Sequence, residues 1–282
     1  MNNPLSLKTL ILVITGIFWQ TPGFAQLPNY QPELSLGVEN FTWKEFRNDG
    51  FRLLKENGYR FSVNAGIGNL ELVDRGLILG ANLKGYAGRV DYDGHSQSTT
   101  SPSTLVDFFS ETDYTGFNLE VQGGYRIDRV AEMIDLDLLI SGGIEKWKRE
   151  IFSGLNILNQ PVSGDVEKFT VQYARYGIGI RYTGEDINIY SILGLKKTLH
   201  VDEKERNFNI TLSPGSGKET VSFSITALLK SEQFGIFRNH FIEAYYEAYR
   251  LEESPSVLVN NSPIIQPKSD LDVIGVYVGR YF

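Results

Sequence analysis

The last twelve residues, Leu271-Asp-Val-Ile-Gly-Val-Tyr-Val-Gly-Arg-Tyr-Phe282, decide the fold of this chain. The character of the side chains alternates from one residue to the next, which is the period of a β-strand with two different faces. An amphipathic helix would instead bring apolar residues back at intervals of three and four. The chain therefore ends in a two-faced strand, and its final residue is aromatic.

Nine earlier segments repeat this alternation, and most of them span ten residues or more. Segments of that length can cross a bilayer when tilted, whereas strands of soluble β-proteins usually have five or six residues. The alternative is a soluble β-sandwich or lipocalin-like barrel, which would bury its apolar face inward. The first segment is the least regular, because its alternation slips near Asn40. The ten segments cover about residues 33–46, 59–69, 76–92, 114–127, 134–152, 169–182, 186–202, 220–231, 239–251 and 271–282.

We therefore predict an all-β fold: a closed antiparallel transmembrane β-barrel of about ten strands, where an error of one hairpin would give eight or twelve. No stretch rich in Pro, Gly and Ser marks a second domain. The barrel domain is expected to cover residues 26–282.

Residues 1–25 have the features of a signal peptide. Lys8 supplies a positive charge, Thr9 to Trp19 form a short apolar run, and Gly23-Phe-Ala25 offers the small residues that a signal peptidase recognises. The alternative is an N-terminal membrane anchor. However, the apolar run is about eleven residues long, and a spanning helix needs roughly 20.

Composition excludes several kinds of chemistry. The sequence contains no Cys, which rules out disulfides, thiolate metal sites, Cys nucleophiles and lipid attachment through Cys. Its net charge of −7 argues against nucleic acid as a partner. No Walker-type loop, Gly-x-Ser-x-Gly elbow or His-Glu-x-x-His motif occurs, so we predict neither a cofactor nor a metal.

The connections predict the orientation of the barrel. Those after odd-numbered segments are long, at residues 47–58, 93–113, 153–166, 203–219 and 252–269, and the others are short, at 70–75, 128–133, 183–185 and 233–238. Outer-membrane barrels have short periplasmic turns and longer outer loops. We therefore expect both termini in the periplasm, with the barrel in the outer membrane of a Gram-negative bacterium.

The polar face of the segments should point into a narrow lumen. Charges of both signs lie on this face, and unpaired charges in a confined interior are costly, so we predict that they pair and plug the lumen. A narrow pore is the alternative. The predicted lumen charges are Arg60, Lys84, Arg126, Arg149, Arg175, Arg181, Lys196 and Lys230, with Glu120, Asp135, Asp137, Glu145, Glu243 and Glu247.

Two lysines stand out on the opposite face. Lys146 and Lys148 share the phase of the lipid-facing residues of the fifth segment but lie near its outer end. There they could meet outer-membrane lipids that carry phosphate, such as lipopolysaccharide. The alternative is that they only extend their charged ends to the interface, without a specific ligand.

The aromatic C-terminal residue of the last segment resembles the assembly signal of bacterial outer-membrane β-barrels. This resemblance implies that the barrel assembly machinery recognises residues 271–282. The whole of residues 26–282 is similar to outer-membrane β-barrel proteins in its alternation and its many glycines.

A second resemblance rests on Asp91-Tyr-Asp-Gly94 and His200-Val-Asp202. They resemble the two catalytic pairs of the omptin proteases, ten-stranded barrels in which a water between an aspartate pair and an Asp-x-His pair is the nucleophile. The resemblance implies that Asp91 and Asp93 form the first pair, and that His200 and Asp202 form the second in reversed order.

Strand phase bears on this implied site. His200 and Asp202 should share the lumen face with Lys196, whereas Asp91 and Asp93 fall on the other face unless a bulge at Gly85 or Gly88 resets the phase. We therefore favour a non-enzymatic outer-membrane barrel with a structural role or a role in contacting ligands or surfaces. An omptin-like endopeptidase and a narrow pore are the alternatives.

Overall fold

The structure is a computed structural model that describes residues 30–70, 72, 75–97, 105–206, 209–259 and 262–282. The predicted signal peptide, residues 1–25, lies outside the described residues. Ten long strands dominate the described part. They are β1 (Gln31–Phe46), β2 (Arg52–Gly68), β3 (Gly76–Gln97), β4 (Leu105–Ala131), β5 (Ile134–Ile151), β6 (Val166–Thr183), β7 (Ile187–Glu205), β8 (Thr220–Leu229), β9 (His240–Leu251) and β10 (Lys268–Tyr281).

These strands form one closed antiparallel sheet. Each pairs with its neighbours along the chain, and β1 pairs with β10 from Glu33–Tyr281 to Phe46–Lys268. Closure leaves none of the ten strands with an open edge. The predicted closed barrel of ten strands is thereby confirmed. Among the described residues, no helix is both long enough and apolar enough to span a membrane.

The seam between the first and last strands relies on glycines that aromatic rings cover. Gly37 of β1 lies opposite Tyr277 of β10, and a Cβ on Gly37 would stand 2.3 Å from Cδ1 of Tyr277. Gly275 lies under Tyr245 of β9 in the same way, since its Cβ would stand 2.3 Å from Cε1 of that ring. The absent side chains let the rings lie flat against the sheet and fill the lumen.

The outside of the barrel carries a belt of exposed apolar side chains. Such side chains would be unfavourable in water, and their even distribution around the barrel matches a lipid-facing surface. One member from each strand, β1 to β10 in order, illustrates the belt: Leu36, Phe61, Leu79, Leu119, Ile140, Ile178, Leu193, Val221, Ile242 and Val276.

Beyond the belt, at one end of the barrel, the pattern inverts. Phe41 and Trp43 of β1 point inward and are fully buried, while Asn40 and Thr42 point outward. The pairing of β1 with β2 stays in register through this region. The slip in the sequence near Asn40 therefore reflects a change of surroundings, because the apolar side chains move to the inside where the outside meets water.

The strands are longer than predicted at this end, which we call the extended end. The expected long loop at 93–113 is mostly strand, because β3 continues to Gln97 and β4 begins at Leu105. The first connection shrinks to residues 47–51, so the prediction of a long loop there is wrong. At the opposite end, the turn end, the β8–β9 connection contains a short 3₁₀ helix, Glu232–Phe237, and is longer than expected.

The seam gives a first prediction. Gly37→Ala should lower the free energy of unfolding by roughly 1–3 kcal/mol, because the new methyl group overlaps the ring of Tyr277. Gly85→Ala is the matched control, since a Cβ at Gly85 meets nothing within 4 Å. Denaturant unfolding in detergent micelles measures both. Equal effects of the two substitutions would show that the seam is not tightly packed.

Candidate functional site

A layer of ion pairs lies in the lumen near the turn end. Arg126 is fully buried and donates from Nε and Nη2 to the two carboxylate oxygens of Asp137, each at 2.7 Å. Tyr190 donates to the same carboxylate at 2.8 Å. Nη1 of Arg126 donates to the backbone oxygen of Leu70, 2.7 Å away, so the β2–β3 turn is tied to this layer. The bidentate geometry is a strong form of charge pairing.

A cavity of about 220 Å³ lies in the middle of the barrel. Arg175 on its wall pairs with Glu120 at 3.3 Å and also with Glu247. Lys196 places Nζ 3.2 Å from Oε2 of Glu247. Charged and tyrosine side chains share the wall of the cavity with apolar residues such as Ile192, and the cavity has room for several water molecules.

Glu39 organises the next layer. Its carboxylate lies 2.6 Å from Nη2 of Arg60 and 3.2 Å from Nζ of Lys84. The guanidinium of Arg60 is held between two rings, with its carbon 4.2 Å from the centroid of Phe41 and 4.1 Å from that of Tyr86. Charge pairing and cation–π contacts together offset the burial of this arginine.

An aromatic layer follows, formed by Phe41, Trp43, Tyr114, Trp147 and Phe169, all of them buried. Trp147 stacks on Phe169 with ring centroids 4.9 Å apart and an interplanar angle of 11°. Trp43 packs against Phe169 at 5.3 Å, and Phe41 against Tyr114 at 4.6 Å. These five rings come from β1, β4, β5 and β6, so the layer reaches across the interior of the barrel.

A carboxyl cluster, defined as Glu45, Glu56, Glu167 and Glu203 around Arg149, lies beyond the aromatic layer. Nη1 of Arg149 is 2.7 Å from Glu167 and 3.1 Å from Glu45, and Nε is 3.1 Å from Glu56. The side chain of Glu203 completes the cluster from β7 and is 1% exposed. Burial raises the pKa of Glu167 to about 7 and that of Glu203 to about 10.

The predicted pairing of lumen charges is confirmed for Arg60, Lys84, Arg126, Arg149, Arg175 and Lys196. The sequence interpretation missed Glu39 and the four glutamates of the carboxyl cluster. In the strands that carry the cluster, aromatic residues also point inward beyond the belt. The inward face is therefore not consistently polar there, and the alternation does not mark the glutamates as lumen residues. The signal that could have found Glu45 is its spacing of two from Trp43 within a segment whose hydrophobic phase changes.

Asp91 and Asp93 do not face the lumen. The pairing of β3 with β2 and β4 runs without a register shift through Gly85 and Gly88, so no bulge resets the phase. Asp93 instead pairs with Arg52 at 2.8 Å, with both side chains nearly half exposed. This geometry is that of a solvent-facing ion pair.

The expectation that His200 and Asp202 face the lumen is wrong, and a β-bulge explains why. Gln172 of β6 pairs with His200 while the next residue, Tyr173, pairs with Thr198, which leaves Leu199 as an extra residue in β7. The bulge reverses the phase of the strand beyond it. Nε2 of His200 lies 3.1 Å from Oδ2 of Asp202, but both side chains are substantially exposed on the outside.

The structure therefore does not bring the four predicted catalytic residues together. The two pairs lie on β3 and β7, which three strands separate, and both pairs point away from the lumen. A single water cannot contact both pairs in this arrangement. Among the side chains that the structure describes, no three of His, Asp or Glu form a potential metal site.

Lys146 and Lys148 lie on the outside, just past the exposed belt on β5, as their phase predicts. Lys148 is directly opposite Lys168 of β6, which is in turn directly opposite Lys204 of β7. We call these three residues the lysine row. Like charges in directly opposite positions destabilise a sheet. Lys148 pairs with Glu150, whereas Lys168 and Lys204 contact no acidic side chain in the described part of the chain.

The arrangement of strands has counterparts among solved structures. The chain is similar to the outer membrane protease OmpT from Escherichia coli, with a TM-score of 0.57 and 11% identity over 91% of this chain and 98% of that one. The translocator domain of the autotransporter NalP from Neisseria meningitidis gives a TM-score of 0.39 at 12% identity, covering 98% of this chain and 94% of that chain. No family model and no curated protein matches the sequence. At these identities the similarity shows the fold alone, which is that of an outer-membrane β-barrel.

The ion-pair layer gives a second prediction. Arg126→Met should lower the free energy of unfolding by about 3–5 kcal/mol, because it leaves the buried carboxylate of Asp137 without its cation. The double variant R126M/D137L should regain much of that loss, since it removes both charges. Arg89→Met, which breaks a solvent-exposed pair with Asp113, is the control and should leave the unfolding midpoint unchanged. A loss in R89M as large as that in R126M would contradict the argument.

Proposed function

We propose that this chain is a non-enzymatic outer-membrane barrel with a closed lumen, which acts through its outer surface. The observation that carries the proposal is the order in which layers of side chains occupy the interior of the barrel, from one end to the other. The buried Arg126–Asp137 pair lies toward one end, and the five rings of the aromatic layer lie toward the other. Water and ions could pass through the whole barrel only by displacing the aromatic layer, which reaches across its interior.

Both termini lie in the periplasm in this proposal. The turn end carries most of the short connections, and the strands continue past the apolar belt at the extended end, as in barrels whose long side faces outward. The apolar run at Thr9 to Trp19 supports export, and Phe282 supports recognition by the barrel assembly machinery.

A surface role is favoured over proteolysis because the predicted catalytic pairs lie on separate outward faces. The extended end instead offers exposed apolar side chains on β4 and on the connection that follows β5. Phe109 is 60% exposed, and Leu155 and Ile157 are exposed to a similar degree. Side chains of this kind suit contact with another surface.

The lysine row supports a second part of the proposal, which is binding of phosphate groups on outer-membrane lipids such as lipopolysaccharide. Lys44 and Lys55 also lie opposite each other on the outside, but Asp270 and Asp93 are their other cross-strand neighbours. The lysine row has Thr115 and Thr211 in those positions instead. The lysine row therefore has no acid in its cross-strand positions, unlike the pair of Lys44 and Lys55, and it lies just past the lipid-facing belt.

A bilayer measurement tests closure. The protein inserted into a planar bilayer should give no steps of conductance, because the aromatic layer and the Arg126 layer interrupt the lumen. Flotation of the same preparation with lipid vesicles verifies insertion, and a general porin is the positive control. Reproducible conductance steps from protein whose insertion has been verified would contradict the closed-lumen proposal and favour the narrow pore.

A binding measurement tests the lysine row. Lys168→Gln together with Lys204→Gln should weaken binding of purified lipopolysaccharide by roughly 30-fold, since each lysine near an anionic surface contributes about 1 kcal/mol. Lys44→Gln together with Lys55→Gln is the matched control, because this pair lies outside the lysine row and has Asp270 and Asp93 as its other cross-strand neighbours. Lipopolysaccharide stripped of phosphate should bind both variants and the wild type equally weakly. Loss of affinity in the control pair alone would refute the assignment.

A further inference from the structure

The inward face of the β6–β7 hairpin carries more carboxyl groups than the nearby cations can pair with. Glu167 of β6 lies directly opposite Glu205 of β7, and Glu203 is the next inward residue of β7. Like charges in these positions repel across a sheet. Among the described residues, Arg149 is the only cation that contacts the group, and it already binds Glu45, Glu56 and Glu167.

Glu203 lacks the partner that a buried carboxylate requires. Its side chain is 1% exposed, and its Oε2 has no hydrogen bond within the described structure. A buried charge without a partner is costly enough that the group takes up a proton instead. The described side chains offer no three acids suited to a metal ion, so a proton is the partner that the geometry accommodates.

Glu205 is a second acid that favours a proton. Its Oε2 is buried and has no hydrogen bond within the described structure. An ionised Glu205 would repel Glu167, which lies directly opposite it, and the neighbouring Asp165. Burial, reinforced by the neighbouring acids, raises the pKa of Glu205 to about 8.

We propose that Glu167, Glu203 and Glu205 form a proton-binding site at the extended end of the barrel, and that loss of its protons loosens the β6–β7 pairing there. This goes beyond the closed lumen and does not depend on it, because the Arg126 layer lies at the other end. The titratable and polar groups that face the site are Glu45 and Trp43 on β1, Glu56 on β2, Tyr92 on β3, Thr112 and Tyr114 on β4, Arg149 on β5, Asp165 before β6 and Gln266 before β10.

The direction of the pH effect follows from proton binding. A carboxyl group with a raised pKa keeps its proton in the folded protein after the unfolded chain has released it near pH 4.5. The folded state is therefore stabilised by these protons at low pH. This contribution is lost as the pH rises from about 4.5 to the pKa of each group in the folded protein, which is about 7 for Glu167 and about 10 for Glu203. Each such proton makes the unfolding equilibrium constant rise about tenfold per pH unit between the unfolded-state and the folded-state pKa of its group.

Tryptophan fluorescence reports on the site directly. The described residues contain two tryptophans, and both lie near the site. Trp43 donates a hydrogen bond to Glu45 at 2.8 Å. Trp147 stacks on the ring of Phe169, which lies directly opposite Glu203 in the sheet. The full chain in detergent micelles should change its emission between pH 6 and pH 11, the range in which Glu167, Glu205 and Glu203 release their protons. Glu203→Gln and Glu205→Gln mimic the protonated groups, so each should flatten this change and reduce the pH dependence of unfolding by about tenfold per pH unit.

Glu219→Gln is the matched control. This glutamate is exposed near the β7–β8 connection, pairs with Lys197 at 3.6 Å and lies outside the site, so the variant should keep the wild-type profile. Infrared difference spectra provide a second readout that needs no variant to be stable, because a protonated carboxyl has its own carbonyl band. The proposal is overturned if wild-type protein shows no such band at pH 6, or if E203Q and E205Q titrate as the wild type does. Conductance plays no part in this test, so its failure is distinct from failure of the closed lumen.

Discussion

The structure depends on one constraint, which is that the solvent outside each strand changes along its length. A β-strand cannot alter which residues face inward without a bulge, so the sequence must alter which residues are polar. Within the apolar belt the lumen receives Glu39, and both Arg60 and Lys84 form ion pairs with it. Past the belt, water outside reverses the requirement, and Trp43 and Trp147 take the inward positions.

This reversal explains why two different kinds of layer fill the barrel. Within each charged layer, opposite charges form short ion pairs. Removing one member of such a pair lowers the free energy of unfolding more than exchanging both members for apolar residues. The rings of the aromatic layer pack together and exclude water. Arg149 and the glutamates that it contacts therefore lie in surroundings of low dielectric constant. The carboxyl cluster is therefore strained electrostatically because the aromatic layer isolates it from the water in the cavity.

The alternation predicted the closed barrel, the phases within the belt and most of the paired lumen charges, because period two is enforced wherever lipid and lumen oppose each other. It did not predict the fate of His200 and Asp202, because the extra residue at Leu199 leaves no mark in the local sequence. The loops were overestimated for a related reason. Residues such as those near Asp93 alternate with polar side chains outward, which looks like an exposed loop until the pairing with β4 is known.

The bulge at Leu199 has a consequence for how this surface can vary. One inserted residue assigns His200 and Asp202 to the exterior and Glu203 to the interior, so the division of chemistry between the two sides of β7 depends on chain length rather than on residue type. Shortening the strand by that residue would exchange the two sets in a single step. Insertions and deletions, more than substitutions, are thus the changes through which the wall of this barrel can acquire a different inner surface.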